Sequence, residues 1–253
     1  MIECRNVTLS YGKKRIIDDI SFTAGPGEVT VLLGRNGCGK TTLFRAIAGT
    51  LQYKGSITAD GEEIRSMSAG NRARSLCIMP QLLHGPAITV RELVGFGRQP
   101  YTGLTGVLSQ SDRQIIGDVL HRTGLENLSE KRLNCISGGE RQKAYFAMIL
   151  AQDTPNILLD EPDSHLDAAY SSSLMEFLKE EKKTGKTVLA VLHDINQAVN
   201  IADKLIVLGS GKVLFEGSTE QFNESNAAEE VFGRRKYICL DPGDPEKSGV
   251  CYL

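Results

Sequence analysis

The stretch Gly34-Arg35-Asn36-Gly37-Cys38-Gly39-Lys40-Thr41-Thr42 decides the fold of this 253-residue chain. We call it the glycine loop. It follows the apolar run at residues 29–33, so the local order is strand, loop, helix. Its three glycines permit positive φ angles, which turn backbone N–H groups inward around an anion. This spacing of glycine, lysine and threonine is typical of loops that bind the phosphates of a nucleoside triphosphate.

The side chains of the glycine loop have separate predicted roles. Lys40 is expected to reach the β- and γ-phosphates, and the hydroxyl of Thr41 is expected to ligate Mg²⁺. The positive end of the following helix points at the same anion. The alternative is a purely structural glycine turn. We predict nucleotide binding by Gly34, Arg35, Asn36, Gly37, Cys38, Gly39, Lys40, Thr41 and Thr42.

A second motif, Asn156-Ile157-Leu158-Leu159-Asp160-Glu161, ends a strand-like apolar run in two carboxylates. In a parallel sheet such a run places the acids at the carboxyl edge, beside the glycine loop. Asp160 is then expected to hold Mg²⁺ through water, and Glu161 to polarise the attacking water as a general base. An acid after a strand is usually only exposed to solvent, but its pairing with the glycine loop favours a catalytic role.

Between these motifs, Ile136-Ser137-Gly138-Gly139-Glu140-Arg141-Gln142-Lys143 predicts the start of a helix. Ser137 fits the N-cap and Glu140 the third helical position of a capping box. An ordinary capped helix is one interpretation. The Ser-Gly-Gly start also exposes unpaired N–H groups, which makes a second anion site. Two such sites on one chain suggest that two copies enclose the nucleotide between them.

With these three motifs the chain resembles the nucleotide-binding subunits of ATP-binding cassette (ABC) transporters along nearly its whole length. The glycine loop is similar to their Walker A motif, residues 156–161 to Walker B with the catalytic glutamate, and residues 136–140 to the signature motif. The family signature more often reads Leu-Ser-Gly-Gly-Gln, so Ile136 and Glu140 depart from it. Because a carboxylate is tolerated in the first helical turn, we expect Glu140 to tune activity rather than abolish it.

The resemblance implies further site residues, and it implies ATP and Mg²⁺ as cofactors. Tyr11 matches the aromatic residue that stacks on adenine, and Gln81 matches the glutamine that touches Mg²⁺ and the water. Residues 164–167 resemble the segment that crosses the dimer interface, and His193 matches the histidine that contacts the γ-phosphate. Without the resemblance, single residues of these types would be interpreted as structural. In the implied homodimer, one nucleotide contacts Ser137, Gly138, Gly139 and Glu140 of the opposite chain.

The implied fold class is α/β: a P-loop NTPase (RecA-like) core with an antiparallel β subdomain and a helical signature subdomain. Residues 1–253 are expected to form a single ABC ATPase domain. Residues 1–80 and 151–217 would supply the ATP core with its antiparallel β part. Residues 81–150 would form the helical subdomain, and residues 218–253 a C-terminal tail.

Local patterns add detail to this division. Residues 1–30 and 55–79 alternate strand and turn signals, which predicts antiparallel structure. Residues 205–214 predict two strands joined by a tight turn. Asp241-Pro242-Gly243-Asp244-Pro245 predicts a turn or loop in the tail.

Composition limits the possible classes of protein. The net charge of −2 and the lack of a basic block argue against binding to nucleic acid. Apolar runs fall short of the ~20 residues that span a bilayer, and the start of the chain lacks a signal-peptide pattern. We therefore expect a soluble cytosolic chain that reaches the membrane through a partner. The six cysteines lack CxxC or metal-ligand spacing and are expected to be reduced thiols.

One segment points to a branch of the family. Thr89-Val90-Arg91-Glu92-Leu93-Val94-Gly95-Phe96-Gly97-Arg98-Gln99-Pro100-Tyr101 is similar to a run in the ATPases of iron-siderophore, haem and cobalamin importers. An amphipathic helix stopped by Pro100 would explain the helix but not the full match. The implied partners are integral-membrane permease subunits and, indirectly, an extracytoplasmic substrate-binding protein. The implied location is the cytoplasmic face of the cell membrane.

Two alternatives remain open at this point. A non-transport ABC ATPase, such as an assembly scaffold or a cassette associated with nucleic acid or ribosomes, usually carries a coiled-coil insertion, tandem cassettes or basic extensions. A P-loop kinase would not need the motif at residues 137–140. The sequence favours an ATPase that energises an importer over both.

Overall fold

The computed structural model describes residues 1–79, 85–103, 106–162, 168–241 and 244–252. The strands are β1 (Ile2–Tyr11), β2 (Lys14–Ala24), β3 (Val29–Gly34), β4 (Lys54–Ala59), β5 (Glu62–Glu63), β6 (Leu76–Met79), β7 (Asn156–Asp160), β8 (Thr187–Val191), β9 (Lys204–Gly209), β10 (Lys212–Ser218), β11 (Lys236–Asp241) and β12 (Asp244–Tyr252). They form a four-stranded sheet, a six-stranded sheet and a two-stranded hairpin.

The helices lie between these strands. They are α1 (Lys40–Ile47), α2 (Ala69–Ser75), α3 (Val90–Phe96), α4 (Gln110–Arg122), α5 (Gly138–Gln152), α6 (Ala168–Lys183), α7 (Ile195–Ile201), α8 (Thr219–Glu224) and α9 (Ala227–Phe232). Short 3₁₀ turns lie at Ile64–Ser66, Gln99–Tyr101, Glu126–Leu128 and Leu133–Cys135. In the described part of the chain, no helix combines the length and apolar character that crossing a membrane requires.

The six-stranded sheet positions the two main motifs. Its order is β10-β9-β3-β8-β7-β6, and every neighbouring pair except β10 with β9 is parallel. All residues of β3, β7 and β8 are buried, as expected for parallel strands covered on both faces. Because β8 lies between β3 and β7, the carboxyl ends of these three strands meet at one edge. The glycine loop and the acidic motif therefore lie one strand apart.

The four-stranded sheet has the order β2-β1-β4-β5 and is antiparallel. This confirms the antiparallel structure predicted for residues 1–30 and for the first part of residues 55–79. The prediction was wrong for the end of residues 55–79. There α2 begins at the N-cap Ser68, whose hydroxyl accepts a hydrogen bond from the N–H of Asn71. The next strand, β6, pairs in parallel with β7, and its apolar side chains Leu76, Cys77 and Met79 are buried.

Helices α3, α4 and α5 share an apolar core of their own. Its buried members are Val90, Leu93, Val94, Ile116, Val119, Leu120, Leu125, Leu133, Ile136, Ala144, Ala147, Leu150 and Ala151. Helix α5 also contributes Phe146 and Ile149 to the core around β7 and β8. This helix therefore belongs to both packing units, and any movement between them must involve it.

The C-terminal residues are more ordered than the sequence pattern suggests. Strands β11 and β12 pair as an antiparallel hairpin, and Pro242 and Gly243 between them lie outside the described residues. The buried Tyr252 ring lies 5.7 Å from the Phe222 ring, centroid to centroid. Asn196 of α7 donates to the carbonyl of Tyr252 (3.2 Å) and accepts from its N–H (2.7 Å). These contacts fix the hairpin against α7.

The cysteine prediction is confirmed in part. Cys4, Cys38, Cys77 and Cys135 are free thiols. Cys251 is disulfide-bonded, so the expectation of reduced thiols was wrong for this residue. The sequence pattern had not revealed the antiparallel hairpin that carries Cys251.

Candidate active site

A pocket of about 400 Å³ opens at the edge where the glycine loop meets the ends of β7 and β8. Its lining residues are Ile16, Asn36, Gly37, Gly39, Lys40, Thr41, Thr42, Glu161 and His193. The structure thus brings together residues from three separate sequence motifs. Ile16 on β2 had no signal in the sequence beyond being apolar.

The glycine loop needs glycine at its turning points. Gly37 and Gly39 have φ angles of +78° and +111°, which other residues adopt only with strain. A Cβ atom at Gly39 would lie 2.5 Å from Cδ1 of Ile17. A Cβ at Gly34 would lie 2.5 Å from the carbonyl oxygen of Leu208, on the neighbouring strand β9. Glycine at positions 34 and 39 therefore lets the loop pack against Leu208 and Ile17 without a clash.

Lys40 begins α1 and lies at the floor of the pocket. It is buried, and its ammonium donates to the carbonyl oxygens of Gly34 (2.7 Å) and Arg35 (3.4 Å). The N-cap of α1 is Gly39, which has no side chain to satisfy the first helical N–H groups. These N–H groups and the ammonium form a positive end suited to phosphate.

Asp160 ends β7 and is 8% exposed. Its Oδ1 atom has no hydrogen-bond partner among the described residues. Burial, and next the negative charge of Glu161, raise the pKa of this carboxyl to about 6, although Lys40 and His193 oppose the shift. A buried carboxylate oxygen without a partner suits a hard divalent cation such as Mg²⁺, and so does the hydroxyl of Thr41. These residues fit the expected ion.

Glu161 follows β7 in the left-handed region, with φ of +52°. Its N–H donates to the carbonyl of Val191 on β8 (3.2 Å), which anchors the turn. Oε1 of Glu161 lies 2.6 Å from Nε2 of His193. The side chain of Glu161 is only 11% exposed, whereas that of His193 is 40% exposed. Backbone strain of this kind is common at active sites.

The signature residues do not join this pocket. Ser137 is the N-cap of α5, and the predicted capping box with Glu140 is confirmed. The Ser137 hydroxyl donates to Oε2 of Glu140 (2.8 Å), and so does the Ser137 N–H (2.8 Å). These two hydrogen bonds lower the pKa of the Glu140 carboxyl. Neither these two residues nor Gly138 and Gly139 line the pocket within one chain.

Tyr11, the residue predicted to stack on adenine, does not line the pocket. Tyr11 ends β1 and is 46% exposed, on the hairpin whose second strand supplies Ile16. Gln81 and residues 164–167 lie outside the described residues. Their assignment stays a prediction.

One relevant side chain was missed by the sequence analysis. Gln142 on α5 is buried, and its Nε2 donates to the carbonyl of Pro162, the residue after Glu161. Its spacing of four and seven residues from Phe146 and Ile149 places it on the buried face of α5. A polar residue on that face needs an internal partner, which is the signal that could have identified it.

Comparison with known proteins gives relatives along the whole chain. The achromobactin transport ATP-binding protein CbrD of Dickeya dadantii is 37% identical over 244 residues, which cover 95% of this chain and 91% of that protein. The petrobactin import ATP-binding protein YclP of Bacillus subtilis is 36% identical over 255 residues and is covered completely, as is this chain.

A solved structure is also similar. A dimeric ATP-binding cassette in a post-hydrolysis state, bound to ADP and phosphate, has a TM-score of 0.76 and 26% identity, with 87% of this chain and 99% of that chain covered. The sequence pattern of the ABC transporter family matches residues 17–164, which include the glycine loop, the signature residues and the acidic motif. The chain therefore belongs to the ABC transporter family, as an ATP-binding subunit of the ATPase type.

Proposed function

We propose that this chain hydrolyses ATP to energise an importer of iron–siderophore complexes or of a related iron chelate, haem or cobalamin. The observation that carries the proposal is the convergence of Lys40, Glu161 and His193 on one pocket. It provides a phosphate-binding end, a carboxylate base and a residue that orients the base. The cargo class is supported by the relatives, which are named for achromobactin and petrobactin.

ATP binding is assigned to the glycine loop. Lys40 would exchange its carbonyl partners for phosphate oxygens, and the N–H groups at the start of α1 would donate to the same anion. Thr41, Asp160 and Gln81 would hold Mg²⁺, which neutralises charge on the phosphates. Tyr11 would stack on the adenine ring from the β1–β2 hairpin.

Hydrolysis is assigned to the pair formed by Glu161 and His193. Glu161 would accept a proton from the attacking water, and His193 would fix the carboxylate through the 2.6 Å contact. Gln81 would help to place the water. The low exposure of Glu161 supports this role because exclusion of bulk solvent strengthens electrostatic stabilisation of the developing charge.

A second copy of the chain would complete the site. Ser137, Gly138 and Gly139, with Glu140 beside them, form an exposed helix start that is suited to phosphate but does not line the pocket of its own chain. In a head-to-tail homodimer they would contact the nucleotide held by the partner. Residues 164–167 would cross the same interface. The similarity to a dimeric cassette supports this arrangement.

A permease would dock on the groove between α3 and α4. The groove has a volume of about 420 Å³, and its walls include Arg91, Phe96, Leu108 and Arg113. Phe96 is 50% exposed and lies beside Leu108 in the wall of this groove, so a docked partner would find apolar surface to cover. Docking there would hold the chain at the cytoplasmic face of the cell membrane. A substrate-binding protein outside the membrane would contact the permease and not this chain.

The closed dimer would be favoured by ATP and not by ADP, because only the triphosphate meets both anion sites. Closing and reopening would move α3, α4 and α5 against the six-stranded sheet and so change the conformation of the permease. Within the single domain, the ATP core would comprise residues 1–80 and 151–217. The helical subdomain would comprise residues 81–150, and the tail residues 218–253.

Co-purification tests this proposal. The tagged chain would be expressed in its native cells, and the proteins recovered with it would be identified. Recovery of a polytopic permease supports the importer, and the ligand of the accompanying binding protein would name the cargo. Recovery of soluble assembly or ribosomal partners alone would contradict it, although the ATPase chemistry would stand.

Two matched variants make the test specific for the groove. Phe96→Glu places a charge on the exposed ring position and should abolish recovery of the permease. Tyr237→Glu changes a residue of similar exposure (47%) on β11 and should leave recovery intact. Equal recovery with both variants would contradict docking at the α3–α4 groove.

A further inference from the structure

The end of the branch-specific segment ties three elements together. Arg98, just after α3, is 8% exposed, and its Nε donates to Oδ1 of Asp112 on α4 (2.8 Å). Its Nη1 donates to the carbonyl of Ala151 near the end of α5 (2.8 Å). One buried guanidinium therefore links the three helices of the helical unit. An arginine fork suits this task because its donors have a fixed planar geometry.

Tyr101 extends this link to the last residue of α5. Its ring centroid lies 4.0 Å from Cζ of Arg98 and 5.6 Å from Cζ of Arg74, so two cations contact one aromatic ring. The Tyr101 hydroxyl donates to the carbonyl of Gln152 (2.9 Å). Contacts at the face of the ring and at its hydroxyl thus fix the orientation of the Tyr101 side chain.

Two further hydrogen bonds, made by Arg74 and Gln152, connect these residues to α2, the helix that precedes β6 of the six-stranded sheet. Nε of Arg74 donates to the carbonyl of Pro100 (2.8 Å). Nε2 of Gln152 donates to the carbonyl of Ala73 on α2 (2.7 Å). The 3₁₀ turn Gln99–Tyr101, the end of α5 and α2 are therefore joined pairwise. We call these contacts the α5 anchor.

The α5 anchor lies at the opposite end of the helix from Ser137. Helix α5 has 15 residues, so it is about 22 Å long. A rotation of about 5° at the anchor would displace the other end by about 2 Å, since displacement is length times the sine of the angle. A hydrogen bond tolerates only a few tenths of an ångström, so such a rotation would break contacts at the signature residues.

We propose that Arg98 and Tyr101 are positioning residues that set the angle of α5, and through it the reach of Ser137 toward the nucleotide of the partner chain. The inference rests on the proposed function, because it requires the two-chain ATP site. It also gives a physical role to the end of the segment at residues 89–101. The first half of that segment caps α3 through Thr89 and Glu92, and the second half anchors α5.

Simple packing of the helical unit is the competing explanation, and the Tyr101 hydroxyl distinguishes the two. Tyr101→Phe removes one oxygen and keeps the ring against Arg98. It removes no apolar contact, so a packing role predicts no effect beyond stability. A positioning role predicts, in addition to that small loss of stability, weaker assembly of the dimer at unchanged ATP binding by the monomer.

The experiment uses the full chain carrying Glu161→Gln, so that bound ATP is not consumed. Dimerisation at saturating ATP would be measured by sedimentation, ATP binding by a fluorescent analogue at low protein concentration, and stability by thermal unfolding. We expect Tyr101→Phe to raise the dimer dissociation constant by up to about fivefold, the most that the free energy of this one hydrogen bond allows. The ATP dissociation constant should not change, and the unfolding temperature should fall by only about 2–4 °C, as for the loss of one hydrogen bond. Tyr237→Phe, on the exposed face of the C-terminal hairpin, is the matched control and should have no effect.

Arg74→Met provides a second probe from the side of α2. It should weaken dimerisation in the same direction, and the double variant with Tyr101→Phe should show less than the sum of the two effects, because both belong to the α5 anchor. An unchanged dimer constant in both single variants would overturn the inference. A parent chain that binds ATP but never dimerises would contradict the proposed two-chain site itself, and the inference would fall with it.

Discussion

Nε2 of His193 lies 2.6 Å from Oε1 of Glu161, and the two residues follow the adjacent parallel strands β8 and β7. The contact joins residues separated by 32 positions, and the sheet register fixes it because Asp160 pairs with Val191. A carboxylate held in this way loses little conformational entropy when it meets a water molecule. The two residues therefore act as one unit, which makes the loss of either informative.

Replacing the carboxylate of Glu161 by an amide tests the general base. We expect Glu161→Gln to bind ATP normally, to reduce the hydrolysis rate by about 10²–10⁴-fold, and to accumulate as an ATP-bound dimer. Single-turnover hydrolysis and gel filtration with ATP measure the two effects. A rate near that of the unchanged chain would move the base to another residue.

Removing the ammonium of Lys40 tests the phosphate assignment. Lys40→Ala should weaken ATP binding and hydrolysis together, because the cation contacts phosphate in both the ground state and the transition state. Arg35→Ala, an exposed cation of the same loop, serves as a comparison and should have a much smaller effect. Normal turnover in Lys40→Ala would contradict the role of the glycine loop.

At neutral pH the ionised side chain of Asp160 should lower the free energy of unfolding. Its pKa is raised from 3.8 to about 6, which corresponds to roughly 3 kcal/mol between the two protonation states. A carboxyl whose folded pKa is raised stabilises the fold below pH 4, and this contribution is lost as the pH rises toward 6. We therefore expect Asp160→Asn to be more stable by about 2 kcal/mol at pH 7.5, with a smaller difference at pH 5. Urea unfolding at both pH values measures this.

The same variant should lose Mg²⁺-dependent hydrolysis, since an amide is a poorer ligand for Mg²⁺ than a carboxylate. Gain of stability with loss of activity is the expected pattern for a charge kept buried for function. The quantity to compare is the stability gained by Asp160→Asn over the unchanged chain at each pH. A smaller gain at pH 7.5 than at pH 5 would show that burial does not raise the pKa of Asp160.

Glu140 should restrain the signature serine. Its carboxylate accepts both the hydroxyl and the N–H of Ser137, and it adds negative charge beside a site proposed for a triphosphate. We expect Glu140→Gln to tighten ATP-driven dimerisation several-fold at low salt, with less effect at high salt. Ser137→Arg is the opposite control, because it should block dimerisation while the monomer still binds ATP. Equal dimer constants for Glu140→Gln and the unchanged chain at low salt would contradict the restraint.

The disulfide of Cys251 should restrain the end of β12, the strand that carries this residue. Reduction should increase hydrogen exchange in β11 and β12, and the effect should reach α7 through the two hydrogen bonds between Asn196 and Tyr252. Disulfides contribute about 2–4 kcal/mol, which is enough to change exchange protection by more than tenfold. Cys135→Ser, which removes an exposed free thiol, should leave this exchange pattern unchanged. Identical protection with and without reductant would show that packing of Tyr252 alone holds the hairpin.

Sequence patterns identified the parts of the fold that obey simple periodicity. The buried strands β3, β7 and β8 appeared as apolar runs, and Ser137 with Glu140 predicted the helix start. Boundaries near α2 were wrong because a capped helix of seven residues has too few apolar positions to show a period. The C-terminal hairpin was not predicted because its stability comes from long-range contacts of Tyr252.

The candidate site could also be predicted only where local sequence determines it. Lys40 and Glu161 were identified because their spacing is tied to local chain geometry. The contact between Glu161 and His193 and the bond from Gln142 to Pro162 depend on which strands and helices become neighbours. Local pattern carries no such information. The partnerless oxygen of Asp160 could only be seen once burial was known.

The hydroxyl that caps α5 has a single hydrogen to give, and it gives it to Glu140. If the same oxygen must serve a phosphate across the dimer interface, assembly replaces a bond inside one chain by a bond between two. The serine hydroxyl then donates one hydrogen bond both in the single chain and in the closed dimer. This hydroxyl therefore favours neither state by the number of its bonds. Reopening after hydrolysis would then return this hydrogen to Glu140, so release of the products would not leave the serine hydroxyl without an acceptor.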